Sequence, residues 1–402
     1  MGSLLIGQSG GPTSVINSSL IGAVKQALKE EKIDNIYGAL YGISGVLSEN
    51  FLNLKEYENE LDTLAHTPAA LLGSVRFMLP EPTIGNETYE KIISVFKKYN
   101  IEYFFYIGGN DSMDTCNKLN VYFQKVSFKC KVIGIPKTID NDLVLTDHCP
   151  GYGSAAKYVA TTLMEIYQDI QVYEKGRVTV VEIMGRDAGW LTAASKLTRI
   201  NDEGVDLIYL PEVPFDMSEF LNSVKTIYQK NKKVLVAVSE GIRDKNGEYI
   251  LKYRSFNNND SFGHLQLGGV SLVLCKIINE QLGLSTRAIE LNLPQRCASH
   301  LTSLTDFKEA ANCGKWAVKY ALKGKTGVMI SMNRISDYKI KYDCVPLSKV
   351  ASFVKGFPTE WIINNNDISD EYLSYALPLI KGETGPKFYQ GLPVHKKIKR
   401  WV

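Results

Sequence analysis

The 402-residue chain contains no run of about 18 apolar residues, which excludes a membrane-spanning helix. Charge of one sign is also scarce. Forty-six Lys and Arg against 43 Asp and Glu leave a net +3, too little for the basic field that drives duplex binding through counterion release. Neither nucleic acid nor a membrane is therefore an expected partner. Met1–Ile6 is apolar but lacks a basic start and runs into Gly7, so it is read as a strand rather than a secretory leader. Met1-Gly2 begins like a myristoylation signal, yet Ile6 stands where Ser or Thr is needed. The seven cysteines form no CxxC pair and the five histidines show no zinc-site spacing. An odd set of scattered cysteines in a long chain predicts reduced, mostly buried thiols and a cytoplasmic setting. Repeats and low-complexity tracts are absent as well, so disorder is not expected.

What is present is an ordinary globular composition, 45% apolar and 22% charged, with enough length for two lobes. Short apolar runs alternate with longer segments of helical period, the pattern of a parallel sheet covered by helices. Strands are predicted at Ser3–Gly7, Tyr103–Ile107, Val132–Ile135, Val178–Ile183, Leu207–Leu210, Val234–Ser239 and Gly327–Ile330. Helices are predicted at Ser14–Glu30, Glu87–Tyr99, Ser112–Ser127, Gly153–Gln171, Asp216–Gln229, Gly269–Leu282 and Phe307–Leu322. Arg243–Gly263 and Asn364–Asp370 read as loops, and the basic segment His395–Arg400 as a solvated tail. No linker cuts the chain cleanly, so the two lobes share backbone crossings.

In a doubly wound sheet, ligands collect at the carboxyl ends of strands. After the first strand, Ser9-Gly10-Gly11-Pro12-Thr13-Ser14 forms a glycine turn that opens a helix, a place suited to a phosphate. A Gly-Gly turn before a helix is also common without any ligand. After Tyr103–Ile107 comes Gly108-Gly109-Asn110-Asp111-Ser112, whose Asn110 and Asp111 either hold a divalent cation beside a phosphate or cap the helix. After Val132–Ile135, Pro136–Asp142 crowds Lys137, Asp140, Asn141 and Asp142 together. Lysine there offers a point charge for a transferring phosphoryl group, and an aspartate accepts a hydroxyl proton. An Asx-rich turn is the plainer alternative. After Val178–Ile183, Met184-Gly185-Arg186-Asp187-Ala188-Gly189-Trp190 places an anion-binding arginine at a strand end, with Asp187 a candidate helix cap. Glu240-Gly241 adds a carboxylate suited to sugar hydroxyls.

These motifs, GGPTSVIN at Gly10–Asn17, GGNDS at Gly108–Ser112, PKTIDND at Pro136–Asp142, MGRDAGW at Met184–Trp190 and Glu240-Gly241, resemble those of the phosphofructokinases. The resemblance implies an α/β fold of two lobes, each with a mostly parallel sheet flanked by helices, with the active site between them. It divides the chain into a donor-binding lobe (1–142 plus about 297–345), a sugar-phosphate lobe (143–296) and an extension (346–402) packed on both. The implied reaction is phosphoryl transfer to the C1 hydroxyl of fructose 6-phosphate, with magnesium (Mg2+) on the donor. Matched by motif, Asp140 is implied as the general base, with Thr138, Ile139 and Asp142 around the acceptor. Met184, Gly185 and Arg186 are implied to hold the sugar phosphate, and Glu240 its hydroxyls. Arg177 matches an arginine lent across a subunit interface, which implies a homodimer or higher homo-oligomer. Arg287 and Arg296 match a later pair of sugar-phosphate ligands, although Leu293 replaces a histidine of bacterial ATP-dependent members.

Two departures bear on the donor. Members that use ATP usually carry glycine where Asp111 and Lys137 stand, whereas pyrophosphate-dependent members carry these two residues. A carboxylate at Asp111 repels a nucleotide α-phosphate and leaves pyrophosphate unhindered, while Lys137 stabilises charge on the transferring group. Gly11, Gly109, Lys137 and Arg76 are the implied pyrophosphate ligands. Asn110 stands where many members have a magnesium-associated aspartate, so it is the implied metal residue, a neutral and weaker oxygen donor. The alternatives are an ATP-dependent enzyme of the same fold and a silent sugar-phosphate-binding regulatory subunit. A dinucleotide-binding oxidoreductase is disfavoured because neither glycine turn spells GxGxxG. Beyond Ile330 the resemblance fades, and Trp361, Tyr372, Tyr375 and Trp401 are expected to serve packing or an interface.

Overall fold

Eleven strands form two main sheets in the computed structural model, which describes residues 2–201, 203–253, 268–335, 338–396 and 398. In chain order they are β1 (Gly2–Gln8), β2 (Ile33–Ala39), β3 (Phe51–Asn53), β4 (Ile101–Gly108), β5 (Lys131–Pro136), β6 (Arg177–Ile183), β7 (Leu207–Tyr209), β8 (Lys233–Ser239), β9 (Thr286–Glu290), β10 (Val328–Ile335) and β11 (Lys339–Pro346). The first sheet runs β11-β10-β5-β4-β1-β2-β3, parallel except for the antiparallel edge strands β3 and β11. The second runs β7-β8-β6-β9 and is parallel throughout. Long helices flank both: α1 (Ile16–Ala27), α2 (Glu87–Lys98), α3 (Asn110–Lys125), α4 (Tyr152–Gln171), α5 (Met217–Asn231), α6 (Val270–Leu282) and α7 (Leu304–Leu322). No helix among the described residues is long and apolar enough to cross a membrane.

Every predicted strand and long helix is present, because each inner strand is apolar on both faces. Leu4 and Ile6 of β1 pack with Leu20 and Val24 of α1 and Val318 of α7, while Leu5 packs on the other face with Tyr89, Phe96 and Cys116. A two-sided burial of this kind needs continuous apolar runs. Strands β2, β3, β9 and β11 lack them and escape a reading by apolar runs. Their burial alternates or is partial, as in the edge strand Lys339–Pro346. The expected loop Asn364–Asp370 includes half of a small hairpin that pairs Ile362–Ile363 with Asp367–Ile368. Of the loop Arg243–Gly263 the structure describes residues 243–253, which form a short bridge between Arg243 and Tyr249 and a 3-10 turn. The remainder lies outside the described residues, as do Lys397, Lys399, Arg400 and Trp401 of the tail. All seven cysteines are unpaired and five are buried.

The chain after β11 returns to the second sheet. Phe357, Ile368, Tyr372 and Leu379 are buried with Trp190 and with Tyr152, Val159 and Leu163 of α4, and Trp361 and Tyr375 pack against that cluster. The first sheet, in turn, depends on the crossing of α1 and α7. Their backbones touch: a Cβ added at Gly314 would stand 2.0 Å from Ser19 O, and one at Gly22 would stand 2.0 Å from Ala311 O. Helix propensity alone makes Gly→Ala stabilising in a helix. Here overpacking wins. Gly314→Ala is expected to lower stability by about 1–3 kcal/mol in a urea titration, and an unchanged or raised midpoint would contradict the contact.

Candidate active site

Chain order reverses direction in the first sheet between β1 and β4, and the crevice at such a switch point is where α/β sheets bind ligands. The turns after β1, β4 and β5 meet there. Gly10 has φ +75°, a left-handed conformation that favours glycine. Its carbonyl accepts from Ser74 Oγ at 2.7 Å, and Ser9 Oγ donates to Val75 O at 3.1 Å. These contacts bring the segment carrying Arg76 beside the glycine turn. Behind it, Gln8 Nε2 donates to Asn17 Oδ1, Gln8 Oε1 accepts from Leu72 N, and Asn17 Nδ2 donates to Thr67 O and Ala69 O. Sequence reasoning assigns no role to Gln8 or Asn17, whose other partners lie 50 or more residues away.

Lys137 is buried, 3% exposed, and its Nζ donates to Gly11 O at 2.6 Å. Asn110 opens α3 but does not cap it; the cap position is Gly109, with no side-chain bond. The Asn110 amide instead donates from Nδ2 to Asp142 Oδ2 at 2.8 Å, and its buried Oδ1 has no hydrogen-bond partner. Asp111 is exposed in the first turn of the same helix. Asp140 N donates to Thr138 Oγ1 at 3.0 Å, and Ile139 is buried.

The second sheet contributes the ends of β6, β8 and β9. Gly185 has φ +141°, and its N–H donates to Glu240 Oε1 at 3.3 Å while its carbonyl accepts from Ser239 Oγ. Met184 N donates to Gln295 Oε1 at 3.1 Å. Gln295 is buried and tethered to Asn292 O, so it fixes the Met184–Arg186 turn from across the sheet. A Cβ on Gly241 would stand 1.8 Å from Arg186 O, which explains why glycine follows Glu240. Arg296 reaches the first sheet: a Cβ added at Gly11 would stand 3.2 Å from Arg296 Nη1. Asp187 pairs with Arg243 rather than capping a helix, since the cap position is Gly189.

Electrostatics tie both halves together. Burial pushes the Lys137 ammonium down to about 8 against the pull of Asp140 and Asp142. Burial also raises Asp140, opposed by the charges of Lys137, Arg186 and Arg296, and raises Asp142, with Asp140 pushing the same way. Glu240 is pushed up to about 7, first by burial, while the Gly185 N–H and Arg186 oppose the rise. Arg296 is lowered by burial and by Arg76, and Asp140 and Glu240 pull it back. The arrangement can hold an anion, orient a hydroxyl and accept its proton.

The phosphofructokinase family profile matches residues 3–321. The chain belongs to the phosphofructokinase family. It is 37% identical over 401 residues to a protein of Halomonas elongata named pyrophosphate--fructose 6-phosphate 1-phosphotransferase, covering 98% of this chain and 95% of the relative. A protein of the same name from Rhodospirillum rubrum is 38% identical, with 97% and 96% covered. The crystal structure of a pyrophosphate-dependent phosphofructokinase from Nitrosospira multiformis superposes with a TM-score of 0.90 at 35% identity, covering 100% of this chain and 97% of the other.

Two of the expected arginines stand elsewhere in this phosphofructokinase fold. Arg177 begins β6, near Tyr173, and Arg287 lies in β9 opposite Thr179, where it pairs with Asp169 at 3.5 Å. The other six residues of β6 separate Arg177 from the Met184 turn, roughly 20 Å at strand rise. A single chain therefore brings Arg296 to the site and leaves Arg177 and Arg287 at the opposite end of the second sheet.

Lys137 makes anion binding pH-dependent in a defined direction. Its ammonium is present below about 8 and lost above it. Sulfate keeps its charge across this range, so its affinity, measured by calorimetry, is expected to fall about tenfold between roughly pH 7 and pH 9. Lys137→Met is expected to flatten the dependence; a flat profile in the unmodified chain would contradict the assignment.

Proposed function

We propose that the chain reversibly transfers a phosphoryl group from pyrophosphate to the C1 hydroxyl of fructose 6-phosphate, giving fructose 1,6-bisphosphate and phosphate. The observation that carries this reading is the buried Lys137 ammonium, anchored on Gly11 O next to Asp140 in the crevice of the first sheet. Relatives matched along nearly their whole length carry the corresponding name. In the reaction the C1 oxygen bonds to phosphorus, the bridging P–O bond of pyrophosphate breaks, and the hydroxyl proton passes to Asp140. Burial makes Asp140 a better proton acceptor than a surface aspartate, and the nearby cations keep it ionised enough to act. Lys137, Gly11, Gly109 and Arg76 hold pyrophosphate, with Lys137 offsetting charge on the transferring group.

Met184, Gly185, Arg186 and Arg296 hold the sugar phosphate, Glu240 binds its hydroxyls, and Thr138, Ile139 and Asp142 surround the acceptor. Arg177 and Arg287, too far away to serve their own site, complete that of a second copy, which makes the assembly at least a homodimer. The two sheets correspond to a donor lobe and a sugar-phosphate lobe. Seven unpaired thiols agree with a cytoplasmic setting.

Magnesium fits the residues present as a cation held chiefly by pyrophosphate. No cluster of three His, Cys, Asp or Glu is poised for a metal among the described residues, and the unpartnered Asn110 Oδ1 is an acceptor for the ion or a water in its shell. When bound, the ion supplies charge neutralisation on the donor.

The base assignment predicts that Asp140→Asn lowers pyrophosphate-dependent turnover by about 10²–10⁴-fold while fructose 6-phosphate binding changes little. Normal turnover would remove Asp140 from the mechanism. Asp111 carries donor choice, so Asp111→Gly is expected to admit measurable turnover with ATP. An unchanged donor preference would show that its carboxylate is not what excludes a nucleotide.

A further inference from the structure

The extension after β11 touches both catalytic loops through very few residues. Asn141, between Asp140 and Asp142, has φ +56° and a fully buried side chain. Its Nδ2 donates to Tyr375 Oη at 2.8 Å, and its Oδ1 accepts from Cys149 N at 2.9 Å. Tyr375 Oη then donates to Asp147 O at 2.9 Å. The ring is fixed in turn by Arg334, whose guanidinium lies 4.8 Å from its centroid and bonds Asp147 Oδ1 and Tyr375 O. Lys355 approaches the same loop from another side. Its backbone N–H donates to Asp142 O at 2.7 Å, and its Nζ donates to Thr146 O and Asp147 O at 3.2 and 2.9 Å.

The stretch Lys355-Gly356-Phe357 also reaches the sugar-phosphate side. Trp190 Nε1 donates to Lys355 O at 3.0 Å, and the Lys355 amine lies 5.0 Å from the Trp190 ring centroid. Phe357 N donates to Glu212 Oε1 at 2.8 Å, and that oxygen also accepts from Gly189 N at 2.7 Å. One short segment thus bonds the loop of Asp140 and the end of the turn that begins with Met184-Gly185-Arg186.

From these contacts we infer that Lys355 and Tyr375 are positioning residues, a brace that sets Asp140 relative to Arg186 and so holds the base at the distance the transfer requires. The inference rests on the reaction proposed above. It follows from how steeply transfer depends on placement: a displacement of about 1 Å can cost about 10²-fold in rate. Packing alone would need the Tyr375 ring but not its hydroxyl, and would need the Lys355 stem but not its ammonium.

Tyr375→Phe keeps the ring and removes the oxygen that joins Asn141 to Asp147. With pyrophosphate as donor, kcat is expected to fall at least about tenfold while the KM for fructose 6-phosphate stays within about threefold. Amide hydrogen exchange across residues 140–149 is expected to quicken at least about tenfold with β1 and β4 unchanged. Lys355→Met, which preserves the stem over Trp190, is expected to quicken exchange at both 140–147 and 186–190. Unchanged exchange in both variants, unchanged kcat, or faster exchange spread through β1 and β4 would overturn the brace. An unmodified chain inert toward pyrophosphate would overturn the proposed reaction instead, and the exchange rates would still decide the brace.

Discussion

Taking an ammonium out of water is costly unless opposite charge and hydrogen bonds surround it, and the buried Lys137 imposes that requirement on the centre of this fold. Its Nζ rests on Gly11 O, which needs the turn after β1 to come within a lysine's reach of the end of β5. Asp140 and Asp142, on the loop that continues from the same strand, supply the opposing field. The adjacency of β1, β4 and β5 is therefore the condition under which the lysine can be buried at all. Gly10 and Gly11 follow from it, since side chains there would crowd Lys137 Nζ and Arg296 Nη1.

The charges around this lysine explain how two sheets make one site. Lys137, Arg186 and Arg296 act on Asp140, and Glu240 feels both Asp140 and Arg186. Cations and carboxylates thus face one another before any substrate arrives. Counter-charge on a polyanionic donor is the part proposed for magnesium, while the neutral Asn110 gives its N–H to Asp142 and keeps an unpartnered oxygen. An aspartate at position 110 would have repelled Asp142; the amide binds it.

Inner strands and long helices were legible because burial on two faces, or on one helical face, leaves a periodic apolar signature. Edge strands such as β9 and β11 leave none, and β9 carries the first of the arginine pair. Arg287 and Arg296 sit nine positions apart in one motif, yet the rise of a strand carries them to different ends of the sheet. The candidate site was legible wherever its residues are consecutive, as in Pro136–Asp142. Its supports were not: Gln295 holds Met184 across 111 residues and Tyr375 holds Asn141 across 234. Single hydrogen bonds between distant segments have no local pattern to announce them. The extension, read from sequence as packing aromatics, does pack, but its polar atoms also bond the loops of the candidate site.

The most direct test of the account is the initial rate of fructose 1,6-bisphosphate formation by the purified chain with magnesium, comparing pyrophosphate and ATP at matched concentrations. Turnover is expected with pyrophosphate and not with ATP. Turnover with ATP at a comparable rate would contradict the donor roles of Lys137 and Asp111, and silence with both donors would contradict the reaction itself.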